Sequence, residues 1–228
     1  MITIGLILPD VLGTYGDDGN ALVLRQRARM RGLDAEIHRV LLGQPVPESL
    51  DVYCLGGGED TAQILAAEHL IADGGLARAA AAGRPILAIC AGLQVLGQSF
   101  RASGREVDGV GLIDATTGQL AKRAIGEVVT TPRIAGLTQP LTGFENHMGS
   151  TVLGPDAKPL GSVTRGVGND GVGSEGAVQG SVIATYMHGP VLARNPEIAD
   201  LLLSRATGLD LEPLDLPEVE QLRRERLK

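Results

Sequence analysis

An apolar run that does not alternate, stops at a glycine-rich turn and is followed by a helix leaves a chain few architectures. Such a run is a strand buried on both faces, which requires helices above and below its sheet. The chain contains three: "ITIGLIL", "LDVYCLGGG" and "RPILAIC". Helical periodicity fills the intervals in "NALVLRQRARMRGL" and "TAQILAAEHLIADGGLARAAAAG", the second predicted as two helices broken at Gly74-Gly75. "AEIHRVLL" adds a strand and "GLQVLGQSF" a helix. Strand, helix, strand, strand, helix, strand, helix predicts an α/β fold with a mostly parallel central sheet flanked by helices.

Beyond residue 105 the texture changes. "AIGEVVTTPRI", "LTGFENHMGSTVL", "LGSVTRGV" and "GSVIATYMHG" are β-rich and punctuated by Gly and Pro. They are expected to be strands, several antiparallel, that extend the same sheet. "NPEIADLLLSRATG" reads as a helix entered through Pro196 and left at Gly208. With no low-complexity linker and no internal repeat, residues 1–228 read as one domain with a helical tail over about 209–228.

Composition excludes several functions. A net charge of −7 without a basic stripe is the wrong footprint for nucleic acid. The most basic stretch, "LRRERLK", reads as the solvated face of a terminal helix, and the acidic "LDLEPLDLPEVEQ" before it as a solvated tail and helix. "MITIGLILPD" is too short to span a bilayer and lacks the basic start and cleavage site of a signal peptide. Two cysteines, Cys54 and Cys90, in no metal-like spacing, fit a reduced cytoplasm and predict no metal site.

The two cysteines differ in context. Cys54 continues a buried strand and reads as packing. Cys90 ends a strand and opens a helix in "AICAGLQVLG". A strand-to-helix turn lifts the sulfur above the sheet edge, and the unpaired N–H groups and positive dipole of the following helix favour a thiolate. The same N–H groups can hold an oxyanion on a substrate carbonyl. Ala88, Ala91 and Gly92 are small enough for such an elbow, although one common form has Gly where Ala88 stands. The plain alternative is a free cysteine packed in an apolar strand.

A thiol nucleophile needs a base. His38 and His69 read as surface or packing residues. His188 ends the buried strand "SVIATYMHGP", at the sheet edge where the elbow opens, a placement suited to a general base. His147, in "GFENHMGST", is expected to join Glu145 in a structural hydrogen-bond network.

Together, "CLGGGED", "AICAGLQVLG" and "TYMHGP" resemble the class I glutamine amidotransferase domain. "GFENHMGST" is similar to a segment of its cobyric acid synthase type branch, and "AKRAIGEVV" on a chain without a fused synthetase most resembles the glutaminase subunits of lipid II amidation. The resemblance implies Cys90 as nucleophile and His188 as base. It implies backbone N–H groups of Ala91 and Gly57 as the oxyanion hole, Gln94 beside the bound glutamine, and Arg123 on the glutamine's α-carboxylate. It further implies an ATP- and Mg-dependent Mur-ligase-like partner in a heterodimer, with no cofactor in this chain. In keeping with that, "LGGGED" lacks the lysine and hydroxyl of a phosphate loop.

One position departs from the family. Many members carry a Glu two residues after the histidine, where this chain has Pro190. Glu145 and Asp170 are the in-chain candidates to orient His188, and subfamily behaviour implies that the partner supplies the acid. A glutaminase serving another synthetase, such as a corrinoid amidase, is one alternative. A catalytically silent binding or regulatory domain is a second, and a Cys-elbow hydrolase or deglycase a third.

Overall fold

The apolar runs are strands in the computed structural model, which describes residues 1–227; Lys228, the end of the predicted tail, lies outside the described residues. The first half runs β1 (Ile2–Ile7), α1 (Gly19–Met30), β2 (Ala35–Val40), β3 (Val52–Leu55), α2 (Asp60–Asp73), α3 (Gly75–Ala81), β4 (Ile86–Ile89) and α4 (Ala91–Leu96). The second runs β5 (Ser99–Ala102), β6 (Arg105–Asp108), β7 (Ala115–Pro132), β8 (Leu141–Leu153), β9 (Gly161–Arg165), β10 (Ser174–Glu175), β11 (Ala177–Gln179), β12 (Val182–Thr185), α5 (Val191–Arg194), α6 (Pro196–Thr207) and α7 (Pro217–Arg226).

The central sheet has the order β11-β12-β4-β3-β1-β2. Every neighbouring pair is parallel except β11 with β12. All residues of β3, β4 and β12 are buried, which is why these strands read as unbroken apolar runs. At the edge, β2 exposes Glu36, His38 and Arg39. The register sets Leu55 beside Ala88 and Thr185 beside Ile89, so the segments leaving β3, β4 and β12 emerge side by side.

The break expected at Gly74-Gly75 is real. Gly74 at φ 69° caps α2, its N–H reaching the Leu70 carbonyl, and α3 starts at the next residue. The helix entered at Pro196 also ends as expected, at Gly208 with φ 70°.

The later strands differ from expectation. Of those after residue 105, β11 and β12 join the central sheet; β6 to β10, with β5, form a second one ordered β10-β9-β7-β5-β6, with β8 paired to β7. The reason lies in the long β7–β8 pair. Buried positions alternate along β8 with exposed or half-buried ones, so one face needs cover and the other meets water. A strand pair of that kind cannot enter a sheet covered on both faces.

The terminal helix also departs from a wholly solvated tail. In α7 the Arg223 side chain is buried and its guanidinium donates to the carbonyls of Arg194 and Pro140 and to Asn195 Oδ1, the last two at 2.9 and 3.3 Å. A planar fork on a long apolar stem suits this docking, and burial lowers the Arg223 pKa from its ordinary value. Among the described residues, no helix is long and apolar enough to cross a membrane. Arg223→Ala should cost about 2 kcal/mol in urea denaturation, because a charged donor leaves three acceptors behind. Amide exchange in α7 should accelerate; an unchanged denaturation midpoint would mean that this docking contributes nothing.

Candidate active site

Where β4 ends, the backbone of Cys90 turns into a conformation with φ 51° and ψ −102°. Non-glycine residues avoid positive φ, and holding one there costs on the order of 1–3 kcal/mol. The surroundings hold it. The Cys90 N–H donates to the Thr185 carbonyl of β12 at 2.8 Å, and α4 begins at Ala91. Close packing accounts for the small neighbours: a Cβ on Gly92 would lie 3.2 Å from the Gly56 carbonyl oxygen and 3.3 Å from Ala88 Cβ. Ala91, as the first helical residue, has an N–H with no acceptor inside its helix.

His188 arrives from the next strand by a different device. After Thr185 the β12–β4 ladder stops, and the Tyr186 N–H turns to the carboxyl of Glu175 at 2.8 Å. Thr185 Oγ1 donates to the same oxygen at 2.6 Å and accepts the Met187 N–H at 3.0 Å. His188 then pairs with Phe144 of β8 through both backbone groups, at 2.8 and 3.1 Å. The end of this strand is thereby clamped between the two sheets.

Asp17, in the loop between β1 and α1, is the residue that sequence reasoning missed. Its side chain is fully buried, and both carboxylate oxygens lie 3.1 Å from His188 Nδ1. A proton held on Nδ1 leaves Nε2, which is buried and has no hydrogen-bond acceptor or donor of its own, as the working nitrogen beside Cys90. Burial lowers the imidazole pKa, but the Asp17 carboxylate and the neighbouring Cys90 raise it by more, to about 10. His188 therefore carries its proton at neutral pH.

This arrangement corrects two expectations. The carboxylate beside His188 is the chain's own Asp17, and neither Glu145 nor Asp170 takes that place. Glu145 accepts the N–H groups of Val167 and Gly168 at 2.7 and 2.9 Å, and Asp170 accepts that of Val172. The second concerns Gly57, whose N–H donates to Asp17 Oδ2 at 2.9 Å and is thereby engaged rather than open to an oxyanion. Its use here is the missing side chain, since a Cβ would stand 3.0 Å from His188 Cε1 and 3.2 Å from Asp17 Oδ2. Gly58, one residue on, lines the cavity above Cys90. The available signal was "GDDGN", two acids in a glycine-flanked loop after the first buried strand.

That cavity, about 100 Å³, opens between the central sheet and the β7–β8 pair. Gln94 lines it from α4, buried, with Nε2 donating to Tyr186 Oη at 3.2 Å. Arg123 reaches it from the stretch of β7 where the register with β8 shifts, and donates to Asn146 Oδ1 at 3.1 Å. The irregularity turns a residue that would pass for a solvated neighbour of Lys122 toward the site. Arg123 has no carboxylate in ion-pair range among the described residues.

His147 does sit in a structural network. Its ring stacks on Tyr186 with centroids 3.7 Å apart, Nδ1 lies 3.0 Å from the Gly149 carbonyl, and Nε2 lies 3.7 Å from Glu145 Oε2. Burial raises the Glu145 pKa, but the nearby His147 ring and the N–H groups of Gly168 and Val167 lower it overall. Cys54 is packing, as expected: burial pushes its thiol up to about 12.

The chain belongs to the CobB/CobQ-like glutamine amidotransferase family, which matches residues 3–196. It is 35% identical over 222 residues to the lipid II isoglutaminyl synthase (glutamine-hydrolyzing) subunit GatD of Staphylococcus aureus, covering 94% of this chain and 89% of that protein. The GatD subunit of Streptococcus pneumoniae is 34% identical, over 97% of this chain and 86% of its own. A cobyric acid synthase of Sphingopyxis alaskensis is 33% identical over 75% of this chain, which spans 34% of that protein. Among solved structures, a glutamine amidotransferase superposes with a TM-score of 0.61 at 20% identity, over 90% of this chain and 99% of the other. PurLQS of Thermotoga maritima gives 0.61 at 15% identity over 100% and 99%, a likeness of fold. The family and fold expected from the Cys and His motifs are thus borne out.

The raised pKa of His188 has a sign. A histidine whose folded-state pKa exceeds its ordinary 6.5 adds stability that is complete below pH 6.5 and is lost as pH rises through about 10. The stability advantage of the wild type over His188→Asn should fall across that window in denaturant titrations. Asp17→Asn should move the fall to lower pH, and an advantage independent of pH would contradict the charged imidazole.

Proposed function

We propose that this chain is the glutaminase of a two-subunit enzyme that amidates lipid II. The observation that carries the reading is Asp17, His188 and Cys90 meeting at the carboxyl edge of one sheet, below a cavity that Arg123 enters. Arg123 grips the α-carboxylate of L-glutamine with its two parallel donors. The Cys90 sulfur attacks the side-chain carboxamide carbon, and the resulting oxyanion is received by the N–H groups of Ala91 and Gly58. Donors of this kind contribute on the order of 3 kcal/mol each. His188 Nε2 gives its proton to the departing nitrogen, releasing ammonia and leaving a γ-glutamyl thioester on Cys90. The neutral imidazole then takes a proton from water as that water attacks the thioester. Glutamate leaves, and Asp17 holds the ring in one orientation throughout.

Ammonia released into bulk water at neutral pH becomes ammonium and loses its nucleophilicity, so it must pass directly to an acceptor site. The two GatD relatives are named as subunits of a lipid II isoglutaminyl synthase, and this chain covers most of their length. By that likeness the acceptor is the D-glutamate carboxylate of lipid II, amidated to D-isoglutamine in peptidoglycan synthesis. ATP and Mg²⁺ act in a Mur-ligase-like partner, and the complex works in the cytoplasm, a setting consistent with two free cysteines. A corrinoid amidase is the second reading. It is favoured by the cobyric acid synthase relatives and weakened because the match spans only 23–36% of their length.

Because the orienting acid is in cis, the purified chain should release glutamate and ammonia from L-glutamine without a partner. Cys90→Ala should abolish release, and Asp17→Asn should lower kcat by on the order of 10³-fold. Lipid II should become amidated only when a Mur-ligase-like partner, ATP and Mg²⁺ are added; amidation of a corrinoid instead would transfer the reading to the alternative. No release, with Cys90 inert to a glutamine-like diazoketone, would sink the enzymatic reading.

A further inference from the structure

Four carboxylate or guanidinium side chains line the cavity above Cys90: Glu59, Asp60, Arg101 and Arg123. Two are engaged by the fold. Asp60 Oδ2 accepts the Ser103 N–H at 2.5 Å, and Arg101 Nη2 donates to the Gly104 carbonyl at 3.4 Å, both on the β5–β6 hairpin. Glu59 and Arg123 remain, facing the same space with opposite charge. Neither has an ion-pair partner among the described residues, and they do not pair with each other.

Glu59 is also held. Its Oε1 accepts the Tyr15 hydroxyl at 2.9 Å, while Oε2 has no hydrogen-bond partner among the described residues. Tyr15 packs its ring against His188 with centroids 4.8 Å apart, so the carboxylate is tethered to the catalytic end of the cavity. Two unpaired charges of opposite sign across one small cavity complement a zwitterion. With the α-carboxylate on Arg123, the α-ammonium of the same amino acid has Glu59 as its available anionic acceptor.

We infer that Glu59, held by Tyr15, binds the α-ammonium group of the substrate and makes the site selective for an α-amino acid over other primary amides. The inference rests on the glutaminase reading and adds a specificity residue to it. A carboxylate bound to an ammonium makes a charge-assisted hydrogen bond, and its position at the open rim limits the effect to about tenfold in affinity.

The test compares L-glutamine with glutaramate, which keeps the carboxamide and carboxylate and lacks the amino group. Wild-type chain should favour glutamine by about tenfold in kcat/KM, mainly through KM. Glu59→Gln should lower kcat/KM on glutamine about tenfold more than on glutaramate, erasing the preference. Equal losses on both substrates would show that Glu59 acts through Tyr15 and His188 and overturn the inference. So would no loss at all, or a wild type that does not distinguish the substrates; in these cases glutamine turnover and its dependence on Cys90 still stand. A wild type that turns over neither amide, with Cys90 unalkylated by 6-diazo-5-oxo-L-norleucine, would overturn the glutaminase reading itself and this inference with it.

Discussion

The hydrogen bond between Asp17 and His188 joins residues 171 positions apart, and the site depends on it. A fully buried carboxylate is costly unless its oxygens find donors. Asp17 finds two, the imidazole Nδ1–H and the Gly57 N–H. One anion thus ties together the loop after β1, the turn after β3 and the segment after β12. The imidazole gains a fixed orientation and a raised pKa. A side chain at Gly57 would crowd the imidazole, which stands 3.0 Å from where its Cβ would lie.

Parallel pairing makes this convergence possible. In β1, β3, β4 and β12 the carboxyl ends fall on one edge of the sheet, so Asp17, Gly57, Cys90 and His188 meet although they are scattered over most of the sequence. The second sheet contributes what the first cannot. Its β7–β8 pair supplies Arg123, Asn146 and His147, and its Phe144 fixes the backbone of His188. The cavity lies where the two sheets meet, and the elbow sulfur forms its floor.

The same chain shows how environment divides one chemistry into two. Cys54 is the penultimate residue of β3, and Cys90 follows the last residue of β4. Cys54 points into apolar packing, and burial keeps it a neutral thiol. Cys90 faces a protonated imidazole at a strained turn before a helix. Glu175 is a related case: burial raises its pKa to about 7, while Thr185 and Tyr186 donate to one of its oxygens, holding in place the segment that delivers His188.

The sequence by itself determined most of the elements and the pair of residues, Cys90 and His188, that strand ends bring to one sheet edge. Non-alternating apolar runs closed by turns read as strands buried on both faces, and Cys90 and His188 each follow a buried strand, so their places at the sheet edge follow from local pattern. Gln94 and Arg123 were legible through the likeness of their motifs. Tertiary structure decided the rest. Asp17 is one of two adjacent acids in a loop, and nothing local tells which of them points inward or which distant ring it meets. The sequence put the second oxyanion donor at Gly57, whereas the fold gives that N–H to the Asp17 carboxylate and leaves Gly58 lining the cavity. The split into two sheets turned on whether an alternating strand pair found cover on one face or two. Each of these outcomes depends on contacts between segments far apart in the chain, and local propensity carries no information about such contacts.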